Sequence, residues 1–377
     1  MSLLLDACGG RWPSRGFMPR TSLTALALLA AAAALASAQL PEGVRVGAFV
    51  DAYYAWDFSR PATLDRAYTT QPARHSEFNV NLAYVEVLVE RGALRGRLAL
   101  QAGTAVQSNY AAEPRMGNVS GPDLSRHIQE AVVGVRLAEP LWIDAGVFYS
   151  HIGQEAWASR DNPTYTRSLV ADHTPYYSAG LRAIWQPSAA VTVRVDVVNG
   201  WQNVSETNSD KAAGIRIEYA PSPAVLVGYS NFLGDEQSDT LPNRLRFFNQ
   251  AFARLGRADG AALWLTVDLG RQQNPGAGGS SWYGLAAIGR VPVTGGAAVS
   301  ARVERYADAD GVIVPGLGTA PFQTTGASLG LDLSLASGFL WRTEVRGFRG
   351  DGPLYPERDG GYSRHAGHAV TSLAVTF

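Results

Sequence analysis

From Val44 onward the chain alternates apolar and polar residues with a period of two, interrupted by turns rich in glycine and proline. Val191, Val193, Val195 and Val197 share one face of a segment whose other face carries Thr192, Arg194 and Asp196. The segment before it sets Tyr177, Ala179, Leu181, Ala183 and Trp185 against Gly180, Arg182 and Gln186, and the turn Gln186-Pro187-Ser188-Ala189 joins the two. Successive side chains leave a strand on opposite faces, so this period marks a β-hairpin with one apolar and one charged side. The hairpin recurs along the chain, and no segment of helical period appears that could cover its apolar side.

Read this way, strands are predicted at Val44–Trp56, Phe78–Glu90, Leu94–Gln107, His127–Leu137 and Leu141–Ile152, and the hairpin spans Pro175–Gly200. Further strands follow at Ala213–Tyr219, Val225–Leu233, Arg244–Arg254, Ala261–Arg271 and Ser281–Val291. Ala297–Tyr306, Gln323–Leu335, Phe339–Phe348 and Arg364–Phe377 complete the set. The second strand changes phase near Tyr84 and Val85, where a bulge would restore it. Long loops and short turns alternate, which places both chain ends on the short-turn side. The longest loop is Gly153–Thr174.

About sixteen strands of roughly ten residues have the number, evenness and length of a transmembrane antiparallel up-and-down β-barrel, with long external loops and short periplasmic turns. Weak alternation near Arg244 and Ser281 leaves a range of about 14 to 18. An exported β-sandwich would also alternate, its apolar faces meeting inside. Plain successive hairpins without Greek-key crossovers favour the barrel. Lipid offers no partner to backbone groups, and only a closed sheet removes its edges.

The chain has 377 residues, 46% hydrophobic and 17% charged, with a net charge of -1. That balance fits a large folded body and excludes disorder, and it lacks the basic surplus a nucleic-acid partner would require. Cys8 is the single cysteine. It lies upstream of a segment with an arginine at Arg20, an apolar run from Leu23 to Leu35, and the small residues Ala36-Ser37-Ala38. This is the pattern of a secretory signal peptide over residues 1–38, with Met18 an alternative start, followed by a single barrel domain over 39–377. No disulfide or thiol chemistry is then expected in the exported chain.

Between Trp142 and Gly200, the residues Gly153, Glu155, Asn162, Tyr165, Arg167, Ser168, Pro175 and Gly180 resemble those of the OmpL-like β-barrel porins of bacterial outer membranes. The resemblance extends to Gly47-Ala48-Phe49-Val50-Asp51 and to Val198-Asn199-Gly200-Trp201. It implies an outer-membrane barrel with porin activity and brings no substrate, cofactor or catalytic set with it.

If the apolar face meets lipid, the other face lines the lumen. Candidate pore-lining residues are Arg95, Arg97, Glu130, Arg136 and Asp144, then Arg182, Arg194, Asp196, Arg216 and Glu218. Asp268, Arg302, Glu304, Asp332, Arg342, Glu344 and Arg346 continue the series, nine cations and eight anions in all. Such residues either present a field to passing solutes or pair across neighbouring strands and brace the wall. The Gly153–Thr174 loop either constricts the mouth or packs on the surface, and Glu155, Arg160, Asp161, Arg167, Asp172 and His173 are the residues that would set selectivity there.

Enzyme chemistry finds little footing. His365 and His368 fall on opposite strand faces, and so do the neighbours Ser150 and His151. No cofactor is expected. Trp56, Trp142, Trp157, Trp185, Trp201 and Trp341 lie near strand ends, where interfacial girdles belong. The chain ends on alternating Leu373, Val375 and Phe377, a terminal pattern of barrels inserted by the bacterial outer-membrane assembly machinery. The expected partners are therefore outer-membrane lipid, that machinery and, by analogy with general porins, further copies of the chain.

Overall fold

In a computed structural model, which describes residues 40–318 and 320–377, the alternating segments close into one antiparallel barrel of sixteen strands. The expected signal peptide lies outside the described residues. The strands are β1 (Val44–Asp57), β2 (Phe78–Arg91), β3 (Leu94–Ala102), β4 (Ile128–Ala138), β5 (Leu141–Tyr149) and β6 (Tyr177–Ser188). They continue with β7 (Val191–Val198), β8 (Ala212–Ser222), β9 (Val225–Asp235), β10 (Leu245–Gly256), β11 (Ala262–Asn274) and β12 (Gly278–Thr294). β13 (Ala297–Asp308), β14 (Phe322–Ala336), β15 (Phe339–Gly350) and β18 (His365–Thr376) complete the wall. A small hairpin, β16 (Tyr355–Pro356) with β17 (Tyr362–Ser363), sits within the last loop. Each strand pairs with its sequence neighbour, and β18 pairs with β1 in a seam running from Phe49 opposite Thr376 to Asp57 opposite His368.

The two faces of the wall differ as the alternation requires. Leu98, Leu181, Val195, Leu269, Leu329, Val345 and Leu373 are exposed on the outside, while the charged residues between them point inward. Three expectations need correction. The third strand stops at Ala102, and helix α1 (Thr104–Asn109) follows, because Ala105 is buried and Val106 joins an apolar cluster with Phe49, Tyr84 and Tyr110. Gly103 makes the corner at φ 137°, where a Cβ would lie 2.3 Å from the Asn81 carbonyl oxygen. The bulge falls at Asn81, three residues before the predicted place: Asp51 faces Leu82 and Ala52 faces Val80, which turns both Asn81 and Leu82 inward. One long-side connection is short, since β11 and β12 extend until only 275–277 separate them.

The tryptophans divide by the same period of two. Trp56, Trp185 and Trp341 are exposed on the outer face. Trp142 shares the inward face of Asp144 and stacks with Arg95, 4.2 Å from its ring centroid. Trp157 and Trp201 belong to apolar clusters formed by loops packed inside the barrel.

Candidate functional site: the barrel lumen

The loop between β5 and β6, residues 150–176, lies in the lumen and determines what the inward charges do. A segment drawn out of water must satisfy its backbone groups, and here the wall supplies the partners. Glu344 accepts the Thr166 backbone N–H at 2.7 Å and Glu304 that of Leu169 at 2.7 Å. Arg302 donates to the Thr166 carbonyl at 2.7 Å and to its hydroxyl at 2.8 Å. Arg346 reaches the Arg167 carbonyl at 2.9 Å, and Arg342 holds the carbonyls of Asn162, at 3.0 Å, and Ser159. These charges also pair among themselves: Arg302 with Glu344 at 2.7 Å, Arg346 with Glu304 at 2.6 Å, and Arg342 with Asp332 at 2.8 Å. All are buried.

Within the loop a 3-10 turn (Ser159–Asp161) precedes the one-turn helix α2 (Leu169–Asp172), whose cap is the Ser168 hydroxyl, accepting from the Ala171 N–H. Glu155 holds the Ser168 N–H at 3.0 Å and its hydroxyl, so it fixes the cap. Burial lifts the Glu155 carboxyl above its ordinary value, against the pull of Arg302, and lifts Asp172 in the same way. His173 is pushed down to about 3 by burial and stays neutral, edge-on to Tyr306 and Phe322. Arg167 is enclosed between the rings of Tyr176, at 3.7 Å, and Trp157, at 4.7 Å. Arg160 ties the loop to the seam through Thr376 at 2.5 Å and Tyr84 at 3.0 Å, while Asp161 stays largely in solvent. Gly284 on β12 admits the helix: a Cβ there would sit 2.5 Å from Val170.

The opposite wall is built from the same residue types and is more open. Arg95 pairs with Asp144 at 2.6 Å, Arg182 with Asp196 at 2.6 Å, and Arg216 with Glu218 at 2.8 Å, while Arg97 bridges Glu86 and Glu130. Arg97, Arg194, Arg216 and Glu218 line a cavity of about 420 Å³, together with Glu155, Arg160 and Asp161 from the loop. Arg136 sits at the short-turn rim with Glu139 and Trp142. Asp268 meets no arginine and accepts from Gln250 at 2.8 Å.

Several buried polar residues lie outside the candidate pore-lining and loop sets. Asp51 accepts from Asn81 at 3.0 Å, Ser159 at 2.9 Å and Tyr165 at 3.3 Å, which ties the inner loop to β1. Its signal was present, because it alternates with Phe49 and Tyr53 on the inward face. Glu113 accepts the N–H groups of Val204 and Ser205, and Asp308 those of Val312, Ile313 and Val314, so each anchors a folded loop. The fifth strand ends at Tyr149, and His151 lies buried beyond it rather than on a strand face. Its Nδ1 lies 3.2 Å from Asp196 and its Nε2 2.6 Å from the Asn231 carbonyl, so both ring nitrogens face β7 and β9. His365 is exposed and His368 buried, on opposite sides of β18. Among the described residues, no group of three or more His, Cys, Asp or Glu side chains is placed to hold a metal ion.

A closed antiparallel barrel with an apolar outer band, a charged interior and a loop folded into it is the architecture of outer-membrane channel proteins. Residues 43–377 match the family described as "Putative beta-barrel porin-2, OmpL-like", and the chain belongs to that family. No curated protein matches the sequence. Among solved structures, the outer membrane channel DcaP of Acinetobacter baumannii is similar at TM-score 0.59 and 10% identity, over 89% of this chain and 97% of that one. Pseudomonas putida OprB is similar at TM-score 0.58 and 10% identity, over 89% and 94%. An anion-selective porin from Comamonas acidovorans gives TM-score 0.56 and 9% identity, over 89% and 99%. At these identities the likeness is one of fold.

Proposed function

We propose that the chain is an outer-membrane channel through which small hydrophilic solutes or ions diffuse, with the 150–176 loop setting the passage. The observation that carries this reading is the segregation of faces in a closed wall: apolar side chains outside, opposed Arg and Asp or Glu side chains inside. Lipid tolerates only a closed sheet, and opposed charges across a lumen give a hydrated path with a transverse field. The role is passive and needs no bond-breaking step. Export by the leader over residues 1–38, assembly through Leu373, Val375 and Phe377, residence in the bacterial outer membrane and association of copies into an oligomer belong to the same proposal.

A second reading has its own support. A single apolar cluster runs from Ile152, on the wall of the 420 Å³ cavity, through Leu169, Phe248 and Trp282 to Val312 near the loop end. That packing favours a barrel closed by its loops, serving as an adhesin, receptor or envelope scaffold. Planar-bilayer recording on the refolded chain 39–377 separates the two. Discrete conductance steps are expected of the channel. Silence from protein shown to be folded by its heat-modifiable gel mobility would overturn it in favour of the closed barrel.

A further inference from the structure

The loop end of the barrel holds a second cavity, of about 510 Å³, bounded by the ends of β9 to β12 and by residues 310–312. Its volume lies in the range of small-molecule sites. It shares no lining residue with the cavity behind the inner loop. Pro275, Ala277 and Asp310 form an exposed rim, whereas Arg246 at its floor is only 9% exposed.

Two opposite charges meet on this floor without closing on each other. Gln272 accepts from Arg246 Nε at 3.0 Å and Nη2 at 2.7 Å, and the rings of Trp201 and Trp282 lie 5.2 and 6.0 Å from the guanidinium carbon. The guanidinium is thus held in one orientation, with Nη1 left over. Glu236 accepts a single hydrogen bond through Oε2, from the Trp201 backbone N–H at 3.2 Å, and its buried Oε1 accepts none. A carboxylate has room for about four. Arg246 Nη1 and Glu236 Oε2 stand 3.8 Å apart, beyond hydrogen-bond reach. The Gln272 clamp prevents the arginine from swinging closer.

We infer that this cavity binds a free α-amino acid, its carboxylate on Arg246 and its ammonium on Glu236. A ligand with one charge leaves the opposite wall charge desolvated and unmatched, which is costly in a partly buried site. A zwitterion whose two charges are separated by one carbon satisfies both at the observed spacing. Its side chain then points to the rim, where Asn274 and Pro275 leave room. The site does not depend on whether the lumen conducts.

Isothermal titration calorimetry on the purified, folded protein tests this with L-alanine, propionate and ethylamine. L-alanine is expected to bind saturably at one site, and the two singly charged probes about tenfold or more weaker. Glu236→Gln is expected to weaken L-alanine about tenfold while propionate binds as well as before or better. Arg246→Gln weakens both L-alanine and propionate. If Arg246→Gln fails to fold by gel mobility, Glu236→Gln carries the test, because Glu236 lies outside the strands. Absence of saturable L-alanine heat, equal affinity for L-alanine and propionate, or a Glu236→Gln variant that binds L-alanine unchanged would each overturn the assignment. So would glycylglycine, whose charges lie further apart, binding more tightly than L-alanine.

Discussion

The wall formed by β13 to β15 and the wall formed by β3 to β8 carry the same inward pattern of arginine and carboxylate, yet they do different work. On the first, Arg302, Glu304, Arg342, Glu344 and Arg346 are buried and spend their hydrogen bonds on the backbone of the inner loop. On the second, Arg97, Arg194 and Glu218 border open space, and Arg216 does so while also donating to the loop carbonyls of His151 at 2.9 Å and Gly153 at 2.8 Å. The difference arises because the loop leaves β5 and crosses to the far side, so the near wall keeps a cavity and the far wall becomes a clamp. A charged ladder in a barrel therefore divides between anchoring a loop and lining a cavity according to how much of it the loop covers.

The strongest way to break this comparison is to remove a clamp. Arg302→Met leaves Glu304, Glu344 and Thr166 without their shared partner, and breaking a buried network of this kind costs about 3–5 kcal/mol. Release of the inner loop is expected, seen as a larger single-channel step and a lower temperature of the gel-mobility transition. A variant with unchanged conductance would mean that the loop does not bound the passage. Arg194→Gln probes the open wall. Arg194 lines the cavity and belongs to no ion pair among the described residues, so its loss is expected to shift the reversal potential in a salt gradient toward cation preference while stability stays within about 1 kcal/mol.

Acid acts on the seated loop in two opposing ways. His173 is held neutral down to about 3, so below its ordinary 6.5 the released loop gains a proton that the seated loop cannot, and release is favoured by at most about 1.4 kcal/mol per pH unit. Glu155 and Asp172 are raised, so the seated loop takes up protons before the released one, and acid favours seating until the pH falls below their ordinary values of 4.5 and 3.8. His173→Asn is accordingly expected to be more resistant than the wild type to loop proteolysis as the pH drops from 6.5 to 5, and Glu155→Gln less resistant as the pH nears the ordinary glutamate value of 4.5. Identical pH profiles for all three proteins would remove the titration of the loop from the account. The smallest effect is expected outside the wall. Trp341→Phe loses one hydrogen bond, to Thr371 at 2.7 Å, and should change stability by about 1 kcal/mol with no change in conductance.

The period of two was enough to find the wall. Strand number, antiparallel order, the alternation of long loops and short turns, and the inward direction of residues such as Arg182 and Glu344 all follow from side chains leaving a strand on opposite faces, which is a local property. The same period turns Trp142 inward, beside Asp144, although its place near a strand end suggests a girdle position. The course of the inner loop is different in kind. Arg342 meets Ser159 and Asn162 across more than half of the barrel's sequence, and Glu344 meets Thr166, contacts that no spacing encodes. Sequence alone therefore determined a charged interior. Only the tertiary structure decided which of those charges anchor a loop and which face open space, because the backbone groups of a buried segment must find partners wherever the fold carries them.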